Sequence, residues 1–362
     1  IAAADCGHQV TIIEKNEKLG KKLFITGKGR CNITNDSDVE NHLNHVISNP
    51  KFMYSAFYSF DSSRMIDFLE QEGLAVKTER GNRVFPQSDK SSDVLQTLQK
   101  ALRRRNVTVR LHTKMTGLMI EDHICKGVKV QSYHGALETL TADDVILTTG
   151  GLAYPSTGST GDGHRLLKQA GVALEPCYPA LVPVETVEEW PIRLQGLSLR
   201  NVSLRVERGS HKIYEEQGEM LFTHFGVSGP LVLSASSLLG RKGAKDCKLH
   251  IDLKPALSEE QLDERLQRDF AAQKNSMFKN SLGKLLPSKL IPVIVELSEI
   301  TPDKQVNEVT RQERHRLVKL CKDLTCTVKK LRDFPEAIVT GGGISVKAIN
   351  PATMELKEIS HL

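Results

Sequence analysis

The spacing of apolar residues along the chain predicts a mixed α/β fold. A short apolar run at 11–13 is typical of a buried β-strand, and it ends immediately before Glu14. Helical spacing predicts one helix over 65–72, closed by a glycine, and a second from residue 91 or 92 to 105. The chain therefore alternates strand and helix from its first residues onward.

From residue 106 the apolar period changes to strict alternation, which is the pattern of half-buried strands. The run DDVILTTGG at 143–151 is apolar and predicts a further buried strand that enters paired glycines. After a glycine-rich loop, a helix is predicted over 164–170 with Asp162 as its cap. The alternating part predicts a small β-meander made of segments 106–113, 116–122, 124–135 and 136–143.

The organisation differs from residue 178 onward, where strands come first and helices later. The clearest strands are LRNVSLRVE at 199–207 and CKLHIDLKP at 247–255. Between them, GEMLFTHFGVSGP at 218–230 is rich in glycine and predicts a turn-rich loop. Two later helices are marked by capping boxes, in which an acceptor is followed three residues on by Glu or Gln, at Ser258 with Gln261 and at Thr310 with Glu313.

A strand predicted from Glu336, in EAIVTGGG, repeats the pattern of the earlier run at 143–151, an apolar segment entering glycines. We therefore expect the chain to return there to its first domain. The expected organisation is a discontinuous α/β domain of residues 1–177 and 336–362, interrupted by an α+β insert domain of residues 178–335.

Composition is that of an ordered globular protein with room for two hydrophobic cores. The chain has 362 residues, of which 39% are hydrophobic and 26% charged. No apolar run is long enough to cross a bilayer, so we expect no membrane partner. The seven cysteines include no C-x-x-C pair, so neither a disulfide framework nor a zinc site is indicated and a cytoplasmic location is expected.

The net charge of +5 is spread along the chain, apart from three consecutive arginines at 103–105. These arginines fall at a predicted helix end, where cations are stabilised by the helix dipole. We favour that explanation over a nucleic-acid patch and expect a small-molecule substrate. The histidines show no metal-ligand spacing, so no metal is expected, and oligomeric state is not indicated.

Glu14 is the first residue with a chemical interpretation. In a βαβ nucleotide fold, a carboxylate at this strand end accepts hydrogen bonds from the adenosine ribose. The G-x-G-x-x-G turn that such a fold places earlier is absent, because the chain opens at Ile1 inside what resembles the following helix. We expect the natural protein to be longer at this end.

Three glycine clusters, at 27–32, 148–151 and 340–343, add to this picture. Glycine lets the backbone approach a flat or phosphorylated ligand closely. Each cluster alone is typical of a tight turn. Together with Glu14 and the β-meander, they indicate a large dinucleotide across the carboxyl ends of the strands, and FAD fits better than NAD.

These motifs resemble a known family. In sequence order they are EKNEKLGKKLFITGKGRCNITN, FPQSDKSSDV, TTGGLAYPSTGSTGDGHRLLKQAG, LFTHFGVSGP and VTGGGISVKAINPATME. Their combination is similar to the BaiN-like and YhiN-like bacterial FAD-dependent oxidoreductases, also labelled aminoacetone oxidase-like, over essentially the whole chain. The resemblance implies a glutathione-reductase-type, Rossmann-like FAD-binding domain with a β-meander, interrupted by an insert domain that covers the substrate.

The resemblance also implies cofactor-binding positions. Those on the ADP half of FAD are Glu14, Lys15, Gly20, Lys21, Lys22, Met115, Thr149, Gly150 and Gly151. Those on the flavin side are Gly29, Arg30, Cys31, Asn32, Gly341, Gly342 and Gly343. The family's C-terminal G-E-x-x-D segment is missing as well. We therefore expect these 362 residues alone to retain FAD poorly.

Several roles are left open at this point. Arg30 either stabilises the anionic reduced flavin or binds phosphate or a neighbouring acid. Cys31, beside Arg30, is either a thiol of lowered pKa or a residue packed against the flavin. His224 is the candidate catalytic proton donor, and the alternative is that it orders its loop by hydrogen bonds. Tyr154 and Tyr178 are weaker candidates for a phenolic proton donor.

The function implied by the resemblance is reduction of a C=C conjugated to a ketone in a bile-acid-like or steroid-like molecule, with NAD(P)H or another reductant. One alternative is an oxidase of amines or hydroxy acids. FAD-dependent tRNA modification and a non-catalytic flavin binder are the remaining alternatives.

Overall fold

The computed structural model describes residues 1–362 and divides into two compact units. The first unit consists of Ile1–Cys177 and Gly342–Leu362, and the second of Tyr178–Gly341. No helix is both long enough and apolar enough to span a membrane.

The first unit alternates short strands and helices. Its helices are α1 (Ala2–Asp5), α2 (Lys21–Ile25), α3 (Val39–Asn44), α4 (Tyr54–Ser59), α5 (Ser62–Gln71), α6 (Ser91–Arg104) and α7 (Asp162–Gln169). Its strands are β1 (Thr11–Ile13), β2 (Thr34–Asn35), β3 (Val76–Glu79), β4 (Arg83–Pro86), β5 (Thr108–Arg110), β6 (Thr113–Glu121), β7 (Ile124–Ser132) and β8 (Leu137–Thr141).

Strand β1 pairs in parallel with β5, with Thr11 opposite Thr108. The predicted strand at 11–13 is confirmed, although it is half-exposed rather than buried because β5 is its only ladder partner. Strands β6, β7 and β8 confirm three of the four segments of the predicted antiparallel meander, but the first segment, 106–113, contributes β5, which pairs with β1 instead. Strands β2, β4 and β3 form another three-stranded sheet.

The strand predicted over 143–151 is wrong. Residues 142–151 form no β-ladder, and the side chain of Ile146 is 78% exposed. The backbone amide of Val145 nevertheless donates to the carbonyl of His361 at 2.9 Å. An apolar run becomes a strand only when a second strand supplies hydrogen bonds, and no segment of this chain pairs with this one.

Helix α6 confirms the prediction from residue 91, and its C-terminal arginines have local partners. Arg105 contacts Glu72 at 3.0 Å and Asp5 at 2.6 Å, and Arg104 also pairs with Glu72. The Glu72 side chain is only 7% exposed, so these cations compensate a buried carboxylate. The helix-end interpretation of the arginine run is therefore preferred to a nucleic-acid patch.

The second unit is a six-stranded closed barrel accompanied by helices. Its strands are β10 (Val184–Thr186), β11 (Ser198–Arg208), β12 (His211–Thr223), β13 (Gly226–Ser228), β14 (Cys247–Asp252) and β15 (Leu324–Leu331), closed in the order β10-β13-β12-β11-β14-β15. Its helices are α8 (Trp190–Arg193), α9 (Pro230–Lys242), α10 (Glu259–Ala271), α11 (Phe278–Ser281), α12 (Ile291–Ser298) and α13 (Arg311–Lys322).

The turn-rich loop predicted at 218–230 is instead largely strand. Strand β12 continues to Thr223 and pairs with β13, leaving a two-residue turn between them. Met220, Phe222 and Val227 are fully buried in the barrel core, and burial of these apolar side chains favours strand over loop. Of the glycines that suggested a loop, Gly218 lies within β12, Gly226 at the turn end of the hairpin and Gly229 before α9.

Both predicted capping boxes are confirmed. Ser258 accepts from the backbone amide of Gln261 at the start of α10, and Thr310 does the same for Glu313 at the start of α13. Strands β9 (Leu174–Ala180) and β16 (Val339–Ile344) carry the chain between the units and form a two-stranded sheet. Strand β16 begins at Val339 rather than at the predicted Glu336.

Candidate functional site

Glu14 lies at the carboxyl end of β1, and its backbone is fixed on both sides. Its amide donates to the carbonyl of Arg110 at 2.9 Å, and its carbonyl accepts from Thr113 at 3.0 Å. The carboxylate oxygen Oε1 accepts from the backbone and side-chain nitrogens of Asn16, at 2.7 and 2.8 Å. The protein donates no hydrogen bond to Oε2, so this oxygen is an available acceptor.

The two residues after Glu14 bind the loop that precedes α7. Lys15 donates from Nζ to Thr160 Oγ1 and to Asp162 Oδ2, both at 2.6 Å. Asn16 donates from Nδ2 to the carbonyl of Thr157 at 3.1 Å. The end of β1 is thereby fastened to the loop at 155–162.

A cleft of about 460 Å³ opens beside this strand end. Most of the lining residues have polar side chains, and they come from the strand end, the meander and the loop before α7: Lys15, Asn16, His112, Lys114, Gln131, Ser132, Tyr133, Pro155, Ser156, Gly158 and Thr160. The cleft is large enough for part of a nucleotide, and it adjoins the residue predicted to bind the ribose.

Asp162 does not cap α7 as predicted, because the helix begins at Asp162 itself and Gly161 occupies the N-cap position. Burial works to raise the pKa of Asp162, but hydrogen bonds from Lys15 and Thr160 outweigh it and hold that pKa below its ordinary value. The carboxylate of Asp162 therefore binds Lys15 instead of capping the helix. Sequence analysis missed this pair, because residues 147 positions apart give no local signal.

The glycines at 150–151 allow close packing against the start of α7. Gly150 has φ +72°, and a Cβ there would lie 2.7 Å from Ser159 Oγ. Gly151 accepts at its carbonyl from Gly161 at 3.2 Å. Thr149 meets α7 directly, since a Cβ on Gly163 would lie 2.4 Å from its Oγ1.

Lys21 and Lys22 have different surroundings. Lys21 pairs with Glu17, four residues earlier in the chain, at 3.2 Å. Lys22 is half-buried and donates from Nζ to the carbonyl of Ala153 at 2.9 Å, and burial lowers its pKa. Since no carboxylate pairs with Lys22, its charge is available to an anion. Both lysines follow Gly20, where φ is +74° and a Cβ would lie 2.3 Å from Leu95 Cδ2.

Arg30 is held by neighbouring acids, which is one of the alternatives left open by the sequence. Its Nε donates to Asp89 at 2.8 Å, its Nη2 pairs with Glu79, and its guanidinium lies 4.0 Å from the centre of the Phe85 ring. These hydrogen bonds raise the pKa of Arg30. Gly29, with φ +84°, has no atom within 4 Å of an ideal Cβ.

The suggestion of a lowered thiol pKa for Cys31 is wrong. Its side chain is fully buried, and burial raises the pKa of the thiol more than a hydrogen bond from Thr26 lowers it. The side-chain amide of the next residue, Asn32, donates to the carbonyls of Val84 and Thr34. Both side chains therefore hold the loop in place.

Met115 lies in β6 opposite Val130, and a register irregularity follows it before Gly117. Its neighbour Lys114 lines the cleft. The role of Met115 beside adenine stays a prediction.

The glycines at 341–343 lie in β16 and permit tight packing there. A Cβ on Gly341 would lie 2.3 Å from the Tyr178 ring, and a Cβ on Gly342 would lie 2.2 Å from the carbonyl oxygen of Pro176. Gly343, with φ +114°, faces His164 Nε2 at 3.2 Å from an ideal Cβ. The role of these glycines around the flavin stays a prediction. The ring of Tyr178 packs against Gly341.

His224 is exposed at the turn between β12 and β13. Its ring lies edge-on to Phe225, with centroids 4.7 Å apart, and the protein offers it no hydrogen bond. The structure therefore does not support the alternative that His224 orders its loop by hydrogen bonds.

Two known proteins are similar to the chain over nearly its whole length. The chain is 29% identical to the 3-dehydro-bile acid delta(4,6)-reductase of Clostridium scindens over 98% of its length and 85% of the relative's. It is 27% identical to the ribosomal RNA dihydrouridine synthase of Escherichia coli over 99% of its length and 85% of the relative's.

Among solved structures, the 3-ketosteroid delta1-dehydrogenase of Sterolibacterium denitrificans matches with a TM-score of 0.48 at 13% identity, covering 99% of this chain and 89% of that one. The model of the HI0933-like protein Rossmann domain matches residues 1–362. The motif resemblance and the Rossmann-type fold class are thereby confirmed, and the chain belongs to the HI0933-like Rossmann-domain family.

Proposed function

We propose that the protein is an FAD-dependent oxidoreductase that reduces a C=C bond conjugated to a carbonyl group. The observation that carries the FAD part of the proposal is that Glu14 and Lys22 each keep a charged group with no oppositely charged partner in the protein. Glu14 Oε2 is an acceptor without a donor, and Lys22 Nζ is a half-buried cation without a carboxylate. A ribose hydroxyl and a pyrophosphate are the complements that these two groups lack.

FAD fits these residues in further respects. The cleft beside the end of β1 has room for part of a nucleotide, and its lining includes Lys15 and Lys114, which both pair with Asp162. FAD, when bound, supplies the hydride chemistry that protein side chains lack. The chain's own residues bind and orient the cofactor, and we propose NAD(P)H as the external reductant.

The favoured substrate class is a 3-oxo steroid or bile acid with a conjugated double bond. The support is the similarity to the Clostridium scindens reductase over nearly the whole chain. Glu72 also pairs with Arg104 and Arg105, which weakens the case for a nucleic-acid phosphate at the arginine run.

A second candidate is reduction of uracil in ribosomal RNA, favoured by similarity to the dihydrouridine synthases of Escherichia coli and Haemophilus influenzae. The C5=C6 bond of uracil is likewise conjugated to a carbonyl. Both candidates therefore require a hydride at the β-carbon and a proton at the α-carbon, and they differ in what surrounds the reacting ring.

His224 is our candidate for the proton donor. Its imidazole is exposed and free of protein hydrogen bonds, as a group that must reach a substrate requires. His224→Gln keeps a polar side chain that cannot donate an acidic proton. We expect its kcat to fall about 100-fold or more.

The deciding experiment is anaerobic reduction of the flavin-loaded protein with NADH or NADPH, followed by addition of a 3-oxo-Δ4 bile acid or of unmodified ribosomal RNA. Reoxidation of the flavin by the bile acid, with formation of the saturated ketone, supports the favoured class. Reoxidation by RNA alone, with dihydrouridine formed, supports the second. Rapid reoxidation by oxygen, with neither acceptor reduced, supports the oxidase alternative and contradicts our proposal.

A further inference from the structure

The turn that carries His224 is among the tightest connections of the barrel. Thr223 of β12 is paired with Gly226 of β13, so His224 and Phe225 alone make the turn. Gly226 has φ +150°, and a Cβ there would lie 2.4 Å from the carbonyl oxygen of Val184 on β10. The turn is thus pressed against the neighbouring strand.

Of the two turn residues, Phe225 is the one that contacts neighbouring segments of the barrel. Its carbonyl accepts from the backbone amide of Thr186 at 3.4 Å, and its ring lies under the guanidinium of Arg332, 4.7 Å from ring centre to Cζ. A cation over an aromatic face is attracted by the ring quadrupole. Arg332 therefore fixes the orientation of Phe225, against whose ring His224 lies edge-on.

Arg332 is itself fixed by two carboxylates. Its Nη1 donates to Glu185 at 2.6 Å and its Nε to Glu336 at 2.7 Å, while its backbone amide donates to the carbonyl of Pro183 at 2.9 Å. Glu185 is directly opposite Gly226 in the barrel, so the ion pair is next to the turn. The cation, its two acids and the aromatic ring form one connected cluster.

We infer that Arg332 is a positioning residue for His224: by clamping Phe225 it keeps the imidazole in one outward orientation. The inference rests on the proposed role of His224 as proton donor. A donor that must reach one carbon of a bound substrate gains from such fixation, since a misplacement of about 1 Å lowers a rate about 100-fold.

The test combines histidine NMR with kinetics on the full flavin-loaded protein. His224→Gln assigns the His224 ring signals by their disappearance. In Arg332→Ala we expect those signals to move toward the position of a freely rotating imidazole, because the ring current of Phe225 is averaged out. We expect kcat to fall about tenfold with KM unchanged, and Arg332→Lys to restore part of both.

The matched control is Arg314→Ala. Arg314 makes a two-pronged ion pair with Asp263 in the helices of the same unit, and it has no contact with the turn. It should lower stability but leave the His224 signals in place. If Arg332→Ala does not fold, Arg332→Gln tests the same clamp, because it removes the cation over the Phe225 ring but keeps that ring and a hydrogen-bond donor for the two acids.

Unchanged His224 signals in a folded Arg332→Ala or Arg332→Gln variant would overturn the inference. Full activity of His224→Gln, by contrast, would refute the role of His224 as proton donor while leaving the NMR result for the clamp to be judged by itself. The two failures are therefore distinguishable.

Discussion

Lys15 donates to Asp162 at 2.6 Å, joining the residue after the predicted ribose-binding carboxylate to the first residue of α7. The side chains are only 26% and 14% exposed, so this is one of the less solvated ion pairs of the first unit. The pair joins the end of β1 to the start of α7.

Breaking this pair should cost more than breaking a surface pair. We expect Asp162→Asn to lower the free energy of unfolding by about 1.5–3 kcal/mol, since hydrogen bonds to charged groups contribute that much. Asp303→Asn, which loses the exposed pair with Lys279, is the matched control and should cost about 0–1 kcal/mol. Urea unfolding of both variants measures the difference, and equal losses would contradict the prediction.

The stabilisation from Asp162 should also depend on pH. The pKa of its carboxyl is lowered in the folded protein, so its contribution is present above the unfolded pKa of about 4 and is lost as pH falls through the folded value. The stability gap between the wild type and Asp162→Asn should therefore be constant above about pH 5 and shrink in stronger acid. A gap that widens on acidification would refute the assignment.

Lys22 should matter for FAD and Lys21 should not. In Lys22→Met the half-buried cation is lost, and we expect the Kd for FAD to rise about tenfold to 100-fold, as loss of a charge-assisted hydrogen bond implies. In Lys21→Met we expect less than a threefold change, or about 0.6 kcal/mol, because Lys21 already pairs with Glu17. Quenching of flavin fluorescence on titration of the apoprotein provides the measurement, and equal effects would argue against a phosphate near Lys22.

Thiol reactivity should follow burial. Cys6 is exposed and Cys177 half-buried, whereas the other five cysteines are buried. We expect one rapid reaction with a disulfide reagent in the native protein, abolished by Cys6→Ser, because the thiolate needs access and burial raises the pKa of Cys31. Rapid labelling of Cys31, detected by peptide mass spectrometry, would contradict the structure around Arg30.

Gly226 should tolerate no side chain. In Gly226→Ala the new Cβ meets the backbone of Val184 at a positive φ, and we expect a loss of about 3 kcal/mol or more. Gly209, at the turn between β11 and β12, has φ +57° but no atom within 4 Å of an ideal Cβ, so Gly209→Ala should cost only about 1–2 kcal/mol. Comparison of thermal unfolding midpoints separates backbone strain, which both variants share, from the clash.

Local patterns in the sequence determined many elements of this protein. The capping boxes at Ser258 and Thr310, the helix from residue 91 and the last three segments of the meander all appear where their spacing predicted them. Each depends on contacts between residues a few positions apart, which are visible in a single sequence. The ordered motifs likewise sufficed to identify the family.

Other features depend on residues far apart in the chain, and only the tertiary structure decided them. The run at 143–151 failed to become a strand for want of a ladder partner, and the loop at 218–230 became a hairpin because a barrel core buries Phe222. Arg30 is held by acids 49 and 59 positions away, and Cys31 has a raised thiol pKa because it is buried among distant segments. Composition and motif fix which groups are present, but charge compensation and desolvation depend on which partners the fold brings together.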